Sequence, residues 1–362
     1  LGLLGLVFML MRNQRVGLVT GMLFFLTGLA LVLYLNSPPV EPRERDYIYV
    51  GSFYVFAMWI GFGVMFMADV LQGFIRKGIA APVLATVISL SAPLIMAQQG
   101  WDDHDRSRQY QSIESAKNLL NSCAKNAILF TEGDNDTFPL WYIQEVEGFR
   151  TDVRVCNLSL LGTDWYARQM TRKTYDSEAL PITLKKENYI AGTNDYVTFW
   201  DAADGSRFPP QVAQGLKTQG LNLSSFINLL NNRDRRLFRA YSKNEGIYTF
   251  PSKLLAVNLD KKAILKQGFV PKKLQNNIED VLVWNIGKNT LYKHHLLMLD
   301  IIATNAKNGW KRPIYFTSNI SSNNSLGLKE YMQLEGLAYR LLPVRIKGAR
   351  DGYVNWFRQK SF

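Results

Sequence analysis

Up to residue 97 the chain is made of hydrophobic stretches that charged residues barely interrupt, and their lengths limit the fold more than any other feature. Residues 16–35, 50–71 and 79–97 each reach the roughly 20 apolar residues a helix needs to cross the hydrocarbon core. Backbone amides find no partner in lipid, so each must be a helix. Residues 1–11 are too short to cross alone and read as the end of a truncated span. No basic segment or small-residue cleavage site precedes them, which argues against a signal peptide. With Leu1 in first place, the chain reads as an internal piece of a longer protein.

The loops set an expected orientation. Arg12 and Arg15 lie in one short loop, Arg76 and Lys77 in another, and short basic loops stay in the cytoplasm. The loop at 36–49 and everything from Gln98 onward are then expected outside. That outer loop also holds Arg43 and Arg45, beside Glu41, Glu44 and Asp46. Tyr47, Tyr49, Trp59 and Trp101 fall near the expected interfaces, as an aromatic belt does. Asp69 sits near the cytoplasmic end of its span, so interfacial solvation or pairing with Arg76 or Lys77 is expected of it.

The net charge of +12 is compatible with nucleic acid, lipid headgroups or an anionic ligand. No run of Arg and Lys tracks a phosphate backbone, and the spans point to the bilayer and its phosphate-bearing lipids, not to nucleic acid. Two cysteines, Cys123 and Cys156, are too few for a disulfide framework. Two buried thiols is the simpler reading, with pairing open if neighbouring strands bring them together.

Beyond residue 97 the pattern becomes α/β. Helices are expected at 112–120, 139–146 and 164–171, strands at 127–131 and 153–158, a βαβ succession with parallel strands and a right-handed crossover. Thr163 or Asp164 would cap the third helix. A second set has a helix at 291–306, a strand at 313–317, a helix at 326–334 and a strand at 338–344. The segments 142–148 and 331–336 match in part, by chance or as a structural repeat. Between the sets, strands at 196–200, 254–259 and 281–286 and a helix at 223–230 are expected. The fold class is thus an α-helical transmembrane bundle (1–97) followed by an extracytoplasmic α/β domain (98–362). Its sheet is mixed and mainly parallel, with a less regular insertion at about 175–278.

Three polar constellations follow from this layout. Glu132-Gly-Asp134-Asn135-Asp136-Thr directly follows the strand at 127–131, where ligands of open α/β sheets bind. Asp134 and Asp136 could share a divalent cation through oxygen ligands, or the segment could be a turn that caps the helix at Pro139. Trp101-Asp-Asp103-His104-Asp105-Arg106-Ser-Arg108 follows the last span and gathers acid–base groups and guanidiniums suited to phosphate. Its plainer reading is a solvated juncture. Arg43 and Arg45 could join it at a lipid phosphate or form an ordinary interfacial loop. His294 and His295 are neighbours on a helix, so they are expected to point to different sides and share no metal.

The runs Glu44-Arg-Asp-Tyr-Ile-Tyr-Val-Gly-Ser-Phe-Tyr-Val-Phe56, Asp103-His-Asp-Arg106, Ile128-Leu-Phe-Thr-Glu-Gly-Asp-Asn-Asp-Thr-Phe-Pro-Leu-Trp-Tyr142 and Gly309-Trp-Lys-Arg-Pro-Ile-Tyr-Phe316 resemble the bacterial branch of the protein O-mannosyltransferase-like membrane proteins. The resemblance covers most of the chain. It implies a C-type glycosyltransferase of the bacterial inner membrane that passes a sugar from a polyprenyl-phosphate carrier to a protein acceptor on the periplasmic face. The usual catalytic Asp of that class lies in an outer loop that this chain does not contain. Asp103, His104 and Asp105 are then the acid–base candidates here, Arg43, Arg45, Arg106 and Arg108 the donor-phosphate candidates, and Asp134, Asn135, Asp136 and Trp141 the sugar or acceptor candidates. A membrane-tethered domain that binds a protein or glycan without catalysis is the alternative, and a hydrolase using a cation on Asp134 and Asp136 is a third.

Overall fold

The computed structural model describes residues 1–36, 45–75, 78–204, 207–242, 245–347 and the backbone of 353–354. Glu41, Arg43, Glu44, Arg76 and Lys77 lie outside the described residues. The chain divides into two units, Leu1–Arg108 and Gln109–Phe362.

The first unit is helical: α1 (Gly2–Arg12), α2 (Gln14–Thr27), α3 (Leu29–Leu35), α4 (Val50–Phe74) and α5 (Ala80–His104). Among the described residues three helical segments are long and apolar enough to cross a membrane: Gln14–Leu35, Asp46–Phe74 and Ala80–His104. The first is broken at Gly28, whose backbone leaves the helical region. Helix α5 runs on past residue 97, so Trp101, Asp102, Asp103 and His104 are its last turn and not a juncture behind it. Asp69 is paired with Arg12 at 2.7 Å, a partner 57 positions away that local spacing does not suggest.

Glycines set the contact between α1 and α4. A Cβ on Gly5 would lie 1.7 Å from the Trp59 carbonyl oxygen, and one on Gly63 would lie 2.4 Å from that of Leu1. Small residues let helix backbones approach where apolar burial supplies no driving force. Trp59 is buried in the contact and donates to the Thr20 hydroxyl at 3.1 Å. Gly5→Ala is therefore expected to cost about 1–3 kcal/mol through overpacking, read as a lower melting temperature in detergent. Gly21→Ala, where a Cβ meets no atom within 4 Å, is the control. Equal melting of the two variants would refute the close approach.

The second unit opens with α6 (Gln111–Ser122), β1 (Ile128–Thr131), α7 (Asp134–Glu145), β2 (Arg154–Asn157), α8 (Leu158–Leu161) and α9 (Asp164–Met170). Next come β3 (Tyr196–Phe199), α10 (Pro210–Thr218), β4 (Leu221–Asn222), α11 (Leu223–Asn231), β5 (Phe238–Ala240), β6 (Gly246–Phe250), β7 (Leu254–Asn258) and α12 (Lys261–Gln267). The unit ends with β8 (Val281–Asn285), β9 (Thr290–Tyr292), α13 (Lys293–Lys307), β10 (Ile314–Thr317), α14 (Ser322–Ser325), β11 (Met332–Glu335), β12 (Ala338–Leu341) and β13 (Tyr353–Val354).

The main sheet has six strands in the order β13-β11-β12-β10-β1-β2. Strand β1 pairs parallel with both β2 and β10, while β12 runs antiparallel to β10 and β11. Side chains alternate across the sheet. Leu129, Val155 and Tyr315 pack with Leu120 of α6 and with Leu140 and Ile143 of α7. Ile128, Phe130, Cys156, Ile314 and Phe316 pack on the other face with α8, α9 and α13. Cys123 and Cys156 are free, fall in these two different clusters, and have their thiols pushed up to about 12 by burial.

Three expectations change. The stretch taken as an irregular insertion holds most of two further sheets, β5-β6-β3-β9 and β4-β7-β8. Helix α7 starts at Asp134, so Pro139 lies inside it. Of the helix expected at 326–334 only a 3₁₀ turn at Leu328–Tyr331 forms: Leu326 and Gly327 take left-handed conformations (φ 46 and 78) ahead of it, and the chain then becomes the β11–β12 hairpin. Residues 142–148 and 331–336 thus differ in structure and form no repeat.

Candidate functional site

Two of the three acid–base candidates, His104 and Asp105, are engaged locally. His104 Nδ1 lies 2.7 Å from the Gly100 carbonyl one turn back, and Asp105 accepts from Ser107 N at 2.9 Å. The Ser107 hydrogen bonds hold the Asp105 carboxyl below its usual range. Asp103, His104, Asp105, Arg106 and Arg108 are all exposed, as is Arg45, and Arg43 lies outside the described residues.

Asp134, Asn135, Asp136 and Trp141 all stand on α7, but they do not converge. Asp136 is the third residue of the helix and reaches back to Gly133 N (2.8 Å) and Glu132 N (3.1 Å), satisfying donors at the helix start. Its Oδ2 also accepts from Thr317 Oγ1 at 3.0 Å, which ties α7 to the end of β10. A carboxylate so occupied is a poor cation ligand. Among the described residues no group of three or more His, Cys, Asp or Glu is placed to hold a metal ion. Asn135 and Asp136 line a pocket of about 490 Å³ with Thr317, Ser318 and Asn319. Trp141 lines a different cavity, beside Tyr166.

The main polar convergence lies elsewhere, beyond the carboxyl ends of β1 and β2, where ligands of such sheets bind. Glu132 directly follows β1. Its two carboxylate oxygens accept from Ser321 N and Ser321 Oγ, both at 2.7 Å, and its carbonyl accepts from Ser159 Oγ at 2.6 Å. Behind it, Thr131, Thr137 and Asn157 form a buried hydrogen-bonded chain that holds the strand ends together.

His294 and His295 join this site, contrary to the expectation that they part. They are the second and third residues of α13, and side chains there lean back toward the helix start. Their rings stand 4.0 Å apart, and each Nε2 meets the Asn324 Oδ1, at 3.1 Å for His294 and 2.9 Å for His295. His295 Nδ1 accepts from Tyr292 N at 3.1 Å and caps the helix, so in the neutral ring the proton sits on Nε2 and is donated to Asn324. Burial pushes both histidines down, His295 to about 3, so the pair is neutral at ordinary pH. Tyr292 stacks on His294 with ring planes 7° apart, and Lys288 Nζ donates to Asn323 Oδ1 at 2.6 Å. Together with Glu132 and Ser159 these groups line a pocket of about 480 Å³. Spacing along the sequence carried no sign of this site; a histidine at the third position of a helix, able to cap it, was the available signal.

A family model described as TMEM260-associated domain 2 matches residues 112–357, which takes in all three sheets. The chain belongs to this family. The matched TMEM260-associated domain holds the His294–His295 pocket and the pocket at Asp136, and leaves helices α1–α5 outside it. No curated protein and no solved structure matches the chain.

Proposed function

We propose that this chain works in a membrane glycosyltransferase that moves a sugar from a polyprenyl-phosphate carrier to a protein acceptor. The apolar segments of α2–α5 hold it in a bacterial inner membrane, and the α/β domain stands on the periplasmic face. Arg43, Arg45, Arg106 and Arg108, near the ends of the apolar segments, supply headgroup-level charge for the carrier phosphate. The α/β domain recognises the sugar or the glycosylated acceptor in the pocket at the ends of β1 and β2. One observation carries this reading: a carboxylate, amides, neutral imidazoles, an ammonium and an exposed tyrosine face line a single pocket. That mixture suits vicinal hydroxyls and the apolar face of a pyranose. Membership in the TMEM260-associated domain family and the resemblance to O-mannosyltransferase-like proteins agree with it.

The test uses the full-length protein, of which this chain is part, in membranes supplied with a polyprenyl-phosphate-linked sugar and an acceptor protein. His294→Ala and Lys288→Ala each remove one polar contact with a bound hydroxyl, and each is expected to cut transfer about tenfold. Unchanged transfer in both would end the pocket assignment. A second reading, glycan binding without transfer, is favoured by the local engagement of His104 and Asp105. It predicts that the unaltered full-length protein binds the sugar in this pocket yet yields no product.

A further inference from the structure

A cavity of about 290 Å³ opens beside strand β2, with aromatic residues from α7, α9 and the turn that follows α9 in its wall. Tyr166 belongs to the core: it is buried, and its hydroxyl accepts from Asn157 N at 2.9 Å. Trp165 and Tyr175 do not, being 50 % and 56 % exposed. Tyr175 is held at φ 51, a costly conformation for an aromatic residue, in a turn closed by paired hydrogen bonds between Thr174 and Ser177. The turn thus presents an aromatic ring at a position no core requires.

The polar groups of the wall are of two kinds. Arg154 is only 5 % exposed and gives Nη2 to the carbonyl oxygens of Gln169 (3.1 Å) and Arg172 (3.0 Å). Its Nε and Nη1 are buried as well, so its charge stays behind the wall and offers no contact to a ligand. Glu145 and Gln169 are exposed and do offer contacts. One Glu145 oxygen accepts from the Tyr175 hydroxyl. The other, Oε1, has no hydrogen-bond partner among the described residues, and neither has the Gln169 carboxamide or the Trp165 indole N–H.

We infer that this cavity binds a neutral pyranose unit of a glycan, with an apolar ring face on Trp165 and hydroxyls on the Glu145 carboxylate and the Gln169 carboxamide. An aromatic ring takes the C–H face of a sugar, and a carboxylate is a strong acceptor for hydroxyl donors. Charge on the ligand is opposed in either sign. An anion would meet Glu145 directly, with no guanidinium nitrogen in reach. A cation would face Arg154 and its neighbour Arg312, which both spend donors on carbonyl oxygens and meet no carboxylate. Buried charges of this kind are poorly screened. The volume lies at the small end of ligand pockets and suits a single ring. The site is separate from the histidine pocket and does not depend on transfer.

Calorimetric titration of the full chain in a detergent without a sugar headgroup tests it, with one ring carried in three charge states. Methyl glucoside is neutral, methyl glucuronide anionic, and methyl glucosaminide cationic in the weakly acidic buffer used for all three. The glucoside is expected to saturate, with at least tenfold higher affinity than either charged relative. Trp165→Ala is expected to weaken it about tenfold, whereas binding in the histidine pocket would not respond to that change. Glu145→Gln keeps an acceptor for Tyr175, removes the charge, and is expected to narrow the gap between glucoside and glucuronide severalfold; as an exposed, isosteric change it keeps the test decisive should Trp165→Ala not fold. No saturation by the glucoside, equal or tighter binding of a charged relative, an unchanged titration in Trp165→Ala, or an unchanged gap in Glu145→Gln would overturn the inference.

Discussion

Replacing Arg340 by Met is expected to lower the unfolding free energy by about 3–5 kcal/mol, the usual cost of stranding a buried charge. Arg340 Nη1 lies 3.3 Å from Glu335 Oε2 within the β11–β12 hairpin, with the two side chains 3 % and 2 % exposed. Tyr315 donates to the same oxygen at 2.9 Å, and Gln333 Nε2 donates to Oε1 at 3.1 Å. The guanidinium also lies 5.0 Å from the Phe269 ring centre and 5.5 Å from that of Tyr315. Methionine keeps much of the volume but leaves the Glu335 carboxylate without its cation. In Glu335→Gln/Arg340→Met both charges are gone and most of the loss should return. Chemical unfolding of the full chain in micelles, followed by near-ultraviolet circular dichroism, measures all three proteins. A single variant as stable as the parent would show that the pair is solvated.

Acid is expected to weaken the α/β domain through His295. In the folded chain its pKa is pushed down to about 3 by burial, from an ordinary 6.5. Between those values the unfolded chain binds a proton that the folded chain does not. Stability therefore falls as pH drops below about 6.5, by up to about 1.4 kcal/mol per pH unit, until about pH 3. At pH 4.5 the loss from this group is about 3 kcal/mol. His294 is shifted the same way, mainly by burial, and adds to the trend. His295→Gln removes the titration, so its stability profile should be flatter than the parent's below pH 6. Titrating groups remote from the pair cancel in the difference, and parallel profiles would mean that the imidazole is hydrated and free to charge.

What could be read from the residues was the part where apolar runs are long and bounded. Residues 127–131 and 153–158 gave β1 and β2 because buried parallel strands read as continuous hydrophobic segments. Strand β5 has all three residues exposed, and short strands of that kind leave no alternation to detect. The β11–β12 hairpin was hidden for another reason: residues 326–334 carry helical spacing, and the left-handed pair Leu326–Gly327 overrides it. Asp134 and Asp136 looked like a loop, although acidic residues also favour a helix's first turn, which is where they lie. The histidine pocket was illegible because it forms from distant segments. Glu132 meets Ser321 across 189 positions, and Asn324 reaches both rings from the short helix α14, 29 and 30 positions away.

The position of β10 between β12 and β1 has a consequence for biogenesis. A nascent chain that has emerged only as far as β2 owns one parallel pair, with the opposite edge of β1 still bare. Its neighbour is made only after every strand of the two smaller sheets. Pairings this remote close slowly, and the open edge is a template for wrong partners in the interval. Any stop codon ahead of β10 would therefore leave an aggregation-prone stub in place of a smaller working domain.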